Sequence, residues 1–132
     1  MKNFVYLLLS IFLIWSCATK TTISKKSISK KEEPVRIAND SLEYEITIID
    51  IGFNSYLATA KPKTFYTVNY LESKNRIYVS FWNERYRTGY KPNLYENEIN
   101  YKYDIHYGLE VNYLLYNYFK FVEKKYGEKF NN

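Results

Sequence analysis

The chain has 132 residues, with 19 Lys plus Arg against 14 Asp plus Glu and a net charge of +5. The surplus is local: residues 1–16 carry one basic side chain, residues 18–36 carry six against two acidic, and residues 37–132 balance at 12 against 12. A balanced domain lacks the phosphate-neutralising charge on which nucleic-acid affinity rests, so a nucleic-acid-binding role is excluded from the expectations.

The first residues read as an address. Lys2 supplies a positive start, and residues 4–15 are apolar except for Ser10. That run is shorter than the about 20 residues of a membrane span and fits the apolar core of a secretory signal. It ends at Ile14-Trp15-Ser16-Cys17. Branched Ile14, small Ser16 and then Cys17 resemble the lipobox of bacterial lipoproteins. The resemblance implies cleavage after Ser16, a diacylglyceryl group on the Cys17 thiol, and acylation of the new N-terminus with palmitate or a similar chain. One acyl chain anchors marginally, whereas two or three anchor stably. Ala18 rather than Asp follows Cys17, and no acidic cluster comes next. By analogy with lipoprotein sorting, the expected location is the outer membrane, facing the periplasm. Cys17 is the only cysteine, which excludes an intramolecular disulfide and a Cys-based zinc site.

Residues 17–40 comprise the lipidated cysteine and a linker rich in Ser, Thr and Lys, without an apolar period. Such a segment is expected to be disordered and extended by its like charges, as a spacer or as a contact with anionic head groups. A single domain is expected over 41–132, a length that suits one domain and not two.

Residues 42–51 set Leu42, Tyr44, Ile46 and Ile48 on one face and Glu43, Glu45 and Thr47 on the other, which predicts a strand. Gly52 ends it, and Asn54 or Ser55 would cap a short helical turn through residue 60. Past Pro62, Thr64 would cap a short helix over 65–73. Lys74-Asn75 reads as a turn. Residues 76–85 alternate Ile77, Val79 and Phe81 with Tyr78, Ser80 and Trp82, which predicts a second strand. Residues 86–93 read as a loop, Asn93 would cap a short helix through 99, and 100–107 show no clear period. Residues 108–126 form the clearest helix. Val111, Leu114 or Leu115, Tyr118, Val122 and Tyr126 make an apolar stripe that Leu109 and Phe119 widen. Lys124 and Lys125 oppose the helix dipole near its end, and Gly127 stops it. The predicted fold class is α+β, with a small two- or three-stranded sheet packed by a long C-terminal helix and short helices.

Fifteen of the 16 tyrosines lie beyond residue 36. Rings with a polar edge suit protein interfaces and sugar faces, and neighbouring cations add cation–π contacts. Trp82, Arg85, Tyr86, Tyr90, Tyr95, Tyr101, Tyr103 and Tyr107 are therefore the candidate binding surface, for an envelope protein or a glycan. The alternative is that the same rings pack a small core. Catalysis has thinner support. His106 follows Asp104 with no nucleophile elbow in the chain. Glu96 and Glu98 diverge on a helix and share a face on a strand. A small envelope hydrolase using Glu96, Glu98, Asp104 or His106 is the alternative to the leading expectation. That expectation is a non-enzymatic interaction module with no metal and no cofactor, tied to the membrane through Cys17.

The span Glu43–Ile51, then Tyr56-Leu57-Ala58-Thr59, Tyr66, Tyr70-Leu71-Glu72, Tyr90-Lys91-Pro92-Asn93-Leu94-Tyr95-Glu96-Asn97-Glu98-Ile99 and Tyr107-Gly108-Leu109-Glu110-Val111-Asn112-Tyr113, resembles a family of short, uncharacterised bacterial lipoproteins. The likeness covers residues 42–126. It implies an envelope lipoprotein carrying a domain of unknown function, and it carries over no catalytic residue, substrate or cofactor.

Overall fold

A computed structural model describes residues 33–42 and 44–130. The expected signal, Cys17 and the linker up to residue 32 lie outside the described residues. The order of elements is β1 (Val35–Asn39), a 3-10 turn (Asp40–Leu42), β2 (Tyr44–Ile48), α1 (Phe53–Leu57), a second 3-10 turn (Lys63–Phe65), α2 (Val68–Arg87) and α3 (Gly108–Tyr126). The fold class is α+β, as expected. Both strands belong to one unit spanning Lys31–Asn132.

The first correction concerns the linker. Its last residues form β1, which pairs antiparallel with β2 in a two-stranded sheet. Ile37 stands opposite Ile46, and Val35 opposite Ile48. Alternation turns Ile37, Tyr44 and Ile48 into the core. Arg36 points outward, bound to Asp40 at 2.7 Å and to Glu45 at 3.0 Å. Exposed pairs of this kind contribute little, so burial of Ile37 is what commits β1 to the fold. The predicted strand over 42–51 shortens to Tyr44–Ile48, because Leu42 closes the hairpin turn and Ile49 and Ile51 stay exposed.

The second correction is larger. The segment predicted as a strand over 76–85 lies inside the 20-residue helix α2, and so does the predicted turn at Lys74-Asn75. The buried positions Leu71, Glu72, Asn75, Tyr78, Val79 and Trp82 recur at three- and four-residue spacing, the period of a helix and not of a strand. Within the predicted alternation, Val79 is buried and Ile77 is exposed. The N-cap is Thr67, not Thr64, and its hydroxyl accepts from the Tyr70 N–H at 3.3 Å. Helix α1 likewise has no Asn54 or Ser55 cap. It starts after Gly52, whose φ of 100° suits glycine, and Phe53 then enters the core.

The short helix expected over 93–99 does not form. Its backbone bonds to side chains of α2 instead. Trp82 Nε1 donates to the Asn97 carbonyl at 2.8 Å. The Asn83 amide donates to the Ile99 carbonyl at 3.0 Å and accepts from the Ile99 N–H at 2.8 Å. Peptide groups satisfied in this way need no helical ladder.

Helix α3 matches its predicted bounds, and Gly127 ends it with φ 68°. Of the predicted stripe, Val111, Leu115, Phe119 and Val122 are buried and Leu109 and Tyr118 are half-buried, but Tyr126, at the last turn, is exposed and turns to Asp50 instead. The chain then turns back, and Phe130 packs on Phe119 at 5.1 Å, Tyr78 at 5.8 Å and Trp82 at 6.3 Å between ring centres. Among the described residues, no helix is long and apolar enough to cross a membrane.

Candidate functional site

The aromatic segment does not form the expected surface. Trp82, Tyr95, Tyr101 and Tyr107 are buried, leaving 2–7% of each side exposed to solvent. Trp82 packs edge-on to Tyr95 at 4.7 Å, and Tyr101 stacks on Tyr107 at 4.9 Å. Only Tyr86, Tyr90 and Tyr103 of the predicted rings are exposed. The physical reason is the helix: α2 turns Trp82 inward, and the loop after it has few aliphatic side chains with which to cover the core. The candidate binding surface is thereby corrected to a set of core rings with three exposed members.

Arg85 is half-buried and works inside the fold. Its guanidinium bonds Tyr95 Oη at 2.7 Å and Glu128 Oε2 at 3.1 Å. Tyr95 Oη also donates to Glu128 at 2.9 Å, and Lys91 pairs with the second oxygen of the same carboxylate. Burial pushes the Glu128 carboxyl up, but the hydrogen bonds from Lys91 and Tyr95 and the charges of Lys91 and Arg85 outweigh it, so the group sits below the ordinary carboxylate range. Glu128 is a buried anion that locks the C-terminal tail to the end of α2.

The sign of the pH dependence follows. A depressed pKa stabilises the fold fully above the unfolded-state value of roughly 4.3, and that stability fades as pH falls through the lower folded value. Glu128→Gln should therefore lower stability at neutral pH and flatten its decline in acid. Unfolding by urea at pH 7 and pH 3 measures both effects; equal losses at the two pH values would remove Glu128 from this role.

The predicted catalytic residues are not brought together. His106 and Asp104 are exposed. The His106 Nδ1 lies 3.2 Å from Oε1 of buried Glu72, an α2 residue. Glu98 bonds Arg87 at 2.5 Å. Among the described residues, no three His, Cys, Asp or Glu side chains are grouped to hold a metal ion.

Glu96 and Glu98 do share one feature. Both line a cleft of ≈ 680 Å³ between β2 and residues 93–100. Trp82, Leu115, Tyr118 and Tyr126 reach it from the two long helices. Tyr126 Oη lies 3.0 Å from both carboxylate oxygens of Asp50, and Lys125 binds that carboxylate at 2.5 Å. Burial pushes the Tyr118 phenol up, and the nearby carboxylates of Asp50 and Glu96 add to it. Asp50 and the cleft wall were missed in the sequence because the wall forms only when Trp82 and Asn83 hold the 97–99 backbone from behind.

No curated protein matches the chain, and no solved structure does. Residues 5–132 match a family model described as a family of unknown function (DUF6146), and the chain belongs to that family.

Proposed function

We propose that this is a lipid-anchored envelope protein, held by Cys17 in the outer membrane facing the periplasm, whose folded part is a non-enzymatic binding module. The signal-like residues 4–15 and the Ile14, Ser16, Cys17 spacing support the anchor. The cleft between β2 and residues 93–100 supports the binding role, in place of the Tyr-rich surface. Its volume lies in the range of ligand sites, roughly 300–1,000 Å³. Its polar wall and aromatic floor suit an envelope protein segment or a glycan.

The anchor is tested by Cys17→Ser. That variant should lose lipid labelling and accumulate as unprocessed precursor; normal processing refutes the anchor. The cleft is tested by photo-crosslinking in intact cells from Ile49 and Asn100, with exposed Tyr103 as control. Adducts are expected from the two cleft positions only. Equal yields from Tyr103, or none from the cleft, overturn this site.

One observation favours a hydrolase, namely that Glu96 and Glu98 line the same cleft. Glu98 is tied to Arg87, and neither Asp104 nor His106 lines it. Binding without catalysis is the better-supported reading.

A further inference from the structure

Resting on the cleft as the binding site, we propose that β2 takes up an extended, basic peptide segment as an added strand. The sheet has two strands, and β2 pairs only with β1 among the described residues. An antiparallel strand directs the N–H and C=O of alternate residues to each side. The groups on the side of β2 away from β1 therefore have no strand partner. Residues 44–50 all line the cleft, and no residue of β1 does. The unpaired edge thus opens into the cleft, where a peptide can bond it by backbone hydrogen bonds.

The opposite wall cannot close this gap itself. Trp82 and Asn83 bond the backbone at Asn97 and Ile99 from the helix side. The groove is held open before anything binds, which reduces the ordering cost of binding.

Charge indicates the occupant. Glu45, Asp50, Glu96 and Glu98 line the cleft, and no Lys, Arg or His does. Three of the four are already paired, with Arg36, Lys125 and Arg87. Glu96 has no hydrogen-bond or ion-pair partner among the described residues, so it is the carboxylate available to a cationic ligand. Exposed Ile49 at the same rim offers an apolar contact for an alternate side chain. Self-pairing of β2 from two copies is disfavoured, because it would bring Glu45 and Glu96 against the same acidic lining.

Fluorescent heptapeptides alternating Val or Thr with Lys, added to the full chain in detergent, test the proposal by anisotropy. Binding is expected. N-methylation of one alternate set of amides should weaken it by more than roughly tenfold, and of the other set far less. Glu96→Lys should weaken the Lys peptide and favour its Glu-substituted counterpart. Equal affinity of both N-methylated peptides overturns strand addition, as does absence of binding, or a concentration-dependent dimer through β2. Binding of a soluble oligosaccharide in place of the peptides overturns strand addition and leaves the cleft as a site. If cleft crosslinks are also absent in cells, the binding-site reading itself has failed.

Discussion

Phe130→Ala should destabilise the protein by about 4 kcal/mol, in the range for truncating a fully buried aromatic ring. Only two residues follow Phe130 in the sequence, yet it is 0% exposed. Its ring fills the space between α2 and α3, against Tyr78, Trp82 and Phe119. Removing it leaves a cavity beneath Trp82 and takes away the anchor of the tail that carries Glu128. For a domain of this size the melting temperature should fall by roughly 15–30 °C. The control is Phe65→Ala, since Phe65 is exposed and such surface changes stay within about 0.5 kcal/mol. Thermal unfolding of the two variants decides the matter. If they melt together, the tail is not part of the core.

Asn112→Ala should cost roughly 3 kcal/mol, because it leaves the buried Tyr101 hydroxyl without its acceptor and takes one of two acceptors from the Asn75 amide. Asn112 sits on α3 with no exposed surface. Its Oδ1 accepts from Tyr101 Oη at 2.8 Å and from Asn75 Nδ2 at 3.0 Å, and its own amide donates to the Gly108 carbonyl at 2.8 Å. Asn75 also reaches the Asn112 backbone carbonyl at 3.0 Å. The pair braces α2 against α3 and fixes the 101–107 loop above them. Tyr101→Phe removes one bond and should cost about 1 kcal/mol. A double-mutant cycle between Asn75→Ala and Asn112→Ala should show coupling above about 0.5 kcal/mol. Strict additivity would mean that the two amides do not act as one brace.

Legibility followed the strength of local periodicity. Helix α3 was readable to its last residue because its stripe repeats over five turns and Gly127 punctuates it. The first turns of helix α2 were readable, since residues 68–73 fall within the helix predicted over 65–73; the rest was not, because Ile77, Val79 and Phe81 alternate with Tyr78, Ser80 and Trp82. Tyr and Trp are apolar enough to be buried on either period. Polar residues hid the rest of its inner face: Glu72 and Asn75 look like solvent positions, yet they are buried, Glu72 beside His106 and Asn75 on Asn112. β1 was masked by its neighbours. Only Val35 and Ile37 mark it, at the end of a Lys- and Ser-rich run. The candidate site divided in the same way. Glu96 and Glu98 were visible as residues, but their cleft depends on an edge strand and on a loop pinned by side chains far away in sequence.

The sequence by itself determined the charge distribution, the α+β class, the last helix and the lipobox-like start. Each is a property of residues close together in the chain: a count, an alternation, a stripe, a spacing. Only the tertiary structure decided which aromatic rings are core, that the second long helix is not a strand, that the tail returns through Phe130 and Glu128, and that β2 faces an open cleft. Those outcomes depend on which elements share a volume. A Tyr or Trp that suits either an interface or an interior goes to the interior when, as here, the domain has too few aliphatic side chains to fill it otherwise.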